Sequence, residues 1–281
     1  MTAPDAPDDQ ADEQGGTGPR DEDLAPVVPI DFVTAVLQEV AGPDEAGSVL
    51  TVVPAHLPAN VRERILAMGK PAAPSLVRLV RETTQHSGWH DLATTHAAGL
   101  LAELHATEAI EPMLGLYAVA PVGEDLHTAL YHALQSFREA IVEPALRALE
   151  GHRDIEAQRT VADLLANLGV QDERIFEALV GRLYRDSGHG ATSLKDYGDA
   201  RAIPDLQVVL DVTDVPTSSD YIEGTEVHYL FDALEALGAS LSPAQEWKLA
   251  RLRKHQAPLK AEFLRRAREY LRRHDAADPG A

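Results

Sequence analysis

Histidine is the residue type that most invites a search for chemistry in this chain: there are twelve, and no cysteine. Without thiolates, neither a disulfide nor a sulfur-ligated metal can form, so a metal site would need histidines joined to carboxylates at fixed spacing. None of the twelve histidines is followed by Glu. His86 and His90 are four apart and would meet on a helix, but Ser87-Gly88 between them predicts a loop. The glycine-rich SGHGATS (187–193) precedes a helix and offers backbone amides to an anion. It lacks the Gly-Lys-Ser/Thr ending of a phosphate loop and does not follow a strand, so an inter-repeat turn is expected. The acids of 211–226 have neither the spacing nor the central glycine of a calcium loop. There is no Gly-x-Ser-x-Gly. No catalytic residue, metal ligand or cofactor is expected.

Recognition is the alternative to catalysis, and arginine is its main candidate. Arg78, Arg81, Arg147, Arg182 and Arg185 fall on predicted helices where guanidinium groups could bind an acidic peptide bidentately. The plainer expectation is that they pair with neighbouring acids such as Glu82 and Glu150. Trp89, between His86 and His90 in TTQHSGWHD (83–91), is a contact point if it stays exposed, or a lid over a helix end if it does not. Arg265, Arg268 and Arg272 lie in a basic C-terminal stretch, largely opposite the apolar stripe Leu259, Phe263, Ala267 and Leu271.

The elements that must carry these residues recur. LHATEAIEPML (104–114) ends one helix, turns, and opens the next at a proline. Pro74, Pro112, Pro144, Glu177, Pro204 and Pro243 mark such openings at separations of 38, 32, 33, 27 and 39 residues. Proline at a helix start loses no intrahelical hydrogen bond and presets φ. Leucine follows two places later at 76, 114, 146, 179 and 206, and Gln245 breaks the pattern. Gly69, Gly169 and Gly238 sit where helices should close, the last two as left-handed caps. DFVTAVLQEVA (31–41) places Phe32, Val36 and Val40 four apart and predicts a further helix. GSVLTVVPAHLP (47–58) is ambiguous between a strand and a degenerate capping repeat.

The pattern resembles the HEAT-like repeat proteins, including the short bacterial form first associated with bilin lyases. GDARAIPDLQVVL (198–210) and LHATEAIEPML carry the resemblance, which covers roughly 59–252. It implies an all-α fold: an α–α superhelix, or solenoid, of about six helical-hairpin repeats. It says little of function, because such repeats serve enzymes, scaffolds and adaptors alike. The tetratricopeptide pattern puts its proline after the second helix, and no ankyrin Thr-Pro-Leu-His occurs. The HEAT-like iron hydroxylase that modifies deoxyhypusine uses His-Glu pairs in register. Here those pairs are missing, and His96, His127, His132 and His228 fall at different offsets from their turns. HEAT-like DNA glycosylases use a basic face with aromatic contacts, whereas this array is acidic, so nucleic acid is confined to the basic end.

Net charge is −20 over 281 residues. Ten bases against three acids give 245–274 a charge of +7, and eight acids against Arg20 give the first 25 residues −7. No run of eighteen apolar residues occurs, and the N-terminus has neither a basic leader nor an apolar core, so a cytoplasmic protein is expected. The expected layout is an acidic disordered tail (1–28), a capping segment (29–57), the repeat array (58–256), a basic capping helix (257–274) and a short tail (275–281). The tail is read as solubilising, with folding back onto the basic end as the functional alternative. The expected role is a non-enzymatic scaffold or adaptor that binds another protein through its extended surface, an acidic segment being the partner chemistry its arginines suit. The rival is a HEAT-like lyase or modifying enzyme acting on a cofactor or protein side chain.

Overall fold

The structure is a computed structural model that describes residues 42–51, 56–83, 90–215 and 226–275. The tail, the 31–41 helix and Trp89 lie outside the described residues. Among the described residues the regular elements are all helical, with no strand. Thirteen α-helices follow one another: α1 (Ala46–Leu50), α2 (Ala59–Met68), α3 (Ala73–Thr83), α4 (His90–Glu103), α5 (Ile110–Tyr117), α6 (Asp125–Gln135), α7 (Val142–Gly151), α8 (Ile155–Ala166), α9 (Glu173–Leu183), α10 (Ser187–Tyr197), α11 (Ile203–Val212), α12 (Glu226–Ala236) and α13 (Pro243–Asp275). Of the ambiguous 47–58 stretch, residues 47–50 are helical and 56–58 belong to no regular element: a 3-10 turn, Pro43–Glu45, runs into α1, which buries Val49 and Leu50.

From α2 onward each even-numbered helix turns into the odd one that follows, and every such turn contains one residue at positive φ: Gly69, His105, Arg138, Gly169, Gly198 and Gly238. That conformation reverses the chain while closing the preceding helix, and glycine adopts it without a Cβ clash. Gly69, Gly169 and Gly238 close their helices as expected. Short 3-10 turns precede α3, α5, α7 and α11. The prolines therefore fall within the first helical turn, where their missing N–H groups would have had no intrahelical acceptor.

Packing follows the same alternation. In the odd rank α1 touches α3, α3 touches α5, and so on to α11; in the even rank α2 touches α4, α4 touches α6, α8 touches α10 and α10 touches α12. The leucines predicted as anchors are the reason the ranks hold: Leu76, Leu114, Leu179 and Leu206 are buried and Leu146 is half-buried. Each fully buried leucine contributes roughly 1.5–3 kcal/mol. Gln245, which broke the pattern, is buried for another reason. Its amide oxygen accepts the Ser242 N–H at 3.0 Å while Ser242 Oγ accepts the Gln245 N–H at 3.3 Å, a reciprocal cap at the start of α13.

Two expectations fail here. SGHGATS is not a turn but the first seven residues of α10. A Cβ on Gly190 would stand 2.5 Å from Leu183 Cα, so its glycine serves the close approach of α9 and α10. Nor is there a separate capping helix over 257–274: α13 runs unbroken from the array through Pro258. Proline costs the Lys254 carbonyl its intrahelical donor there.

Candidate binding surfaces

Most of the arginines expected to face a partner are engaged within the fold. Arg147 donates to Glu111 at 2.7 Å and stands 3.8 Å from Glu143, not Glu150. Arg174 donates to Glu143 at 2.9 Å, and Arg201 to Glu173 at 2.8 Å. Each pair joins an odd helix to the next hairpin, giving a row of rungs along one edge. Asp172 and Asp199 complete the last two rungs by accepting both the backbone N–H and the guanidinium of the arginine two residues on. Those arginine hydrogen bonds hold both carboxyls below the usual range. Arg185 donates to the Gly181 carbonyl at 3.2 Å. Arg78 is exposed beside a cavity of about 280 Å³ that also takes Asp44 and Glu82. Arg81, Arg265 and Arg268 are exposed too, with Arg265 on Glu269 at 2.9 Å. The Arg272 side chain lies outside the described residues.

Arg182 is the correction among them. It is 1% exposed and cannot meet a partner. It bridges three helices, donating to Gln158 of α8 at 3.0 Å and to Asp186, just ahead of α10, at 3.0 Å. Asp186 also accepts two hydrogen bonds from Arg159, at 2.8 and 3.2 Å. Those bonds are the main reason its carboxyl is held below the usual range, while burial lowers the Arg182 guanidinium against the pull of Asp186. Asp186 consequently does not cap its helix with its side chain, unlike the N-cap aspartates Asp154, Asp172 and Asp199.

A cavity of about 510 Å³ opens beside this cluster, lined by Arg159, Asp186, His189, Thr192, Glu226 and Tyr229 among others. His189 Nε2 lies 3.0 Å from Asp163 Oδ1, and Ser193 Oγ lies 3.3 Å from the same oxygen. A nucleophile relay requires the imidazole between carboxylate and hydroxyl. Here both groups converge on the carboxylate, and Ser193 is fully buried. Asp163, His189 and Ser193 thus fasten α8 to α10. No group of three or more His, Asp or Glu side chains among the described residues is arranged to hold a metal.

Apolar side chains are accessible as well. Tyr184, at the end of α9, is 55% exposed, and Val208 and Val212 on α11 are 53% and 78% exposed. The Tyr184 hydroxyl donates to Asp205 at 2.6 Å, and Asp205, Val208 and Val212 share one face of α11, so Tyr184 lies at the N-terminal end of the face that carries the two valines, a strip with Asp205 at that end. Comparison of the chain with protein-family models and with curated proteins finds no match. No helix among the described residues is long and apolar enough to cross a membrane.

A second accessible patch lies on α13. Trp247 is 61% exposed, with the Arg251 guanidinium 5.5 Å from its ring centroid. Trp247, Ala250, Arg251 and Lys254 line a shallow cavity of about 430 Å³. Sequence reasoning passed over both patches, since an exposed valine or tryptophan follows the same helical period as a buried one. The base of this helix is fixed: Lys248 Nζ donates to the carbonyls of Leu210, Asp211 and Thr213 at 2.7, 2.8 and 2.9 Å, closing the C-terminus of α11.

Proposed function

We propose that the chain is a HEAT-like α–α solenoid that acts as a non-enzymatic scaffold, binding another protein along its extended surface. The observation that carries the reading is the exposed Tyr184–Val208–Val212 strip. Exposed apolar side chains grouped together are the usual centre of a protein interface, whereas Arg147 is paired in a rung and Arg182 is buried within the fold. The positive-φ residue at every hairpin, the contacts of each helix with the next of its rank and the Arg–Glu rungs support the solenoid. The accessible edge of the ionic cluster gives little support to an enzyme, since Arg159 and Asp186 neutralise each other.

Val208→Glu with Val212→Glu should leave helicity unchanged and abolish capture of whichever protein the wild type retains from extracts of its source cells. Equal capture by both proteins would end the assignment of the strip. The superhelix has its own test in X-ray scattering, because a compact chain of this length has a radius of gyration of about 19 Å and a solenoid exceeds it clearly.

A further inference from the structure

The geometry points to an intramolecular ligand for the Trp247 patch: the acidic, proline-bearing segment 3–13 of this same chain. Trp247, Arg251 and Lys254 stand at i, i+4 and i+7 on α13, so an indole and two cations share one helical face about 10 Å long. Neither Arg251 nor Lys254 has a carboxylate partner among the described residues. A surface of this composition suits an extended chain that offers flat rings to the indole and carboxylates to the cations.

Residues 3–13 read APDAPDDQADE, with five acids, no base, and Ala-Pro-Asp twice in succession. In a polyproline II chain, with three residues per turn and about 3.1 Å of rise per residue, Pro4 and Pro7 fall on one edge about 9 Å apart. Asp5 and Asp8 take the adjacent edge. The two periods match the length of the patch, one proline packing on Trp247 and the acids meeting Arg251 and Lys254. Charge favours the same pairing over the whole segment, −7 in the first 25 residues against +7 in 245–274.

Chain length allows the distal acids to arrive. From α1 to α13 there are six steps along the odd rank, the last through the Gln245 and Lys248 hydrogen bonds to the end of α11, and at about 8–10 Å per step the path is about 50–60 Å. Glu13 precedes Gly42 by 29 residues, which span up to about 95 Å extended. Even with a helix over 31–41 the reach is about 75 Å. Asp21, Glu22 and Asp23 have about 45–50 Å on the same assumption, so the segment 3–13 arrives with the greater slack. With that slack and its two Pro–Asp periods, the segment 3–13 covers the patch from within one molecule and leaves it when a competing acidic chain or salt displaces it.

Fluorescence of Trp247 in the full chain carrying Trp89→Phe isolates the contact, because the sequence contains only these two tryptophans. Emission should be blue-shifted and poorly quenched by iodide at low salt. Neutralising the acids (Asp5→Asn, Asp8→Asn, Asp9→Asn, Asp12→Asn, Glu13→Gln) should red-shift it without changing circular dichroism, and so should raised salt in the unneutralised chain. A synthetic peptide of residues 1–15, added to the neutralised chain, should restore the blue shift. Its affinity should fall about three- to tenfold with Arg251→Ser and Lys254→Ser together. Identical emission from the neutralised and unneutralised chains would overturn the proposal. A shift that depends on protein concentration would also overturn it, since that assigns the ligand to a second copy. Capture through the Tyr184–Val208–Val212 strip is unaffected by these variants, so the two readings fail separately.

Discussion

Arg182 and Arg147 lie on successive helices of the odd rank, and each meets carboxylates, yet they illustrate opposite physics. Arg147 and Glu111 have side chains 57% and 72% exposed, so water screens their attraction and the pair contributes little. Arg182 is enclosed between α8, α9 and α10, where removal of a partner leaves a charge that nothing solvates. The edge rungs set the register of neighbouring hairpins at low energetic stake, whereas the interior cluster stakes the integrity of the α8–α10 junction on one carboxylate. Identical residue types on a similar helical face take their meaning from burial.

The largest expected effect tests that contrast directly. Asp186→Ala should destabilise the fold by about 3–5 kcal/mol, because it strands a buried guanidinium. Arg147→Ala should change stability by less than about 1 kcal/mol. Denaturant titration of both variants measures the difference, and equal losses would show that the interior cluster is no less solvated than the rungs.

Packing at the same junction comes next. Gly190→Ala should cost about 1–3 kcal/mol, because the new methyl meets the Leu183 backbone rather than a yielding side-chain end. Gly115→Ala, at a position with nothing within 4 Å of the added Cβ, should be neutral or gain up to about 1 kcal/mol in helix propensity. Calorimetry that finds both substitutions neutral would mean α9 and α10 can separate.

Titration sharpens the comparison further, and the two relevant groups act in different windows. The Asp186 carboxyl is depressed in the fold by its arginine hydrogen bonds, so its stabilisation is complete above the ordinary value of 3.8 and is lost as pH falls through the folded value. His127 stacks on Tyr117 with ring centroids 4.6 Å apart, its Nε2 is buried without a hydrogen bond, and burial depresses its pKa. Its contribution is present above the ordinary value of 6.5 and is lost as pH falls below it. Asp186→Asn should flatten the acid limb of the stability curve and His127→Phe the limb just below 6.5. Denaturation midpoints across that range check both signs.

The smallest effect belongs to the hairpin edge. His105 takes positive φ without being glycine, so His105→Gly should relieve strain and raise stability by about 1 kcal/mol or less. A lower melting temperature would show that the imidazole contributes more than the backbone strain costs.

The sequence by itself determined the helical class, because alanine and leucine recur at helical spacing and helix openings, five of six at proline, return about every 34 residues. It also determined the charge layout and the Gly69, Gly169 and Gly238 closures, all of which depend only on local residue type. Burial was decided by tertiary packing alone. Arg182 and Arg147 share a residue type and a helical setting, and only the arrival of α8 and α10 encloses one of them. The glycines of SGHGATS suggested a turn because glycine is rare in helices, while the true requirement, room for Leu183, exists only once α9 and α10 meet. The accessible strip was hidden for the same reason: Val208 and Val209 are adjacent in sequence, and only the neighbouring helices leave the first exposed and bury the second.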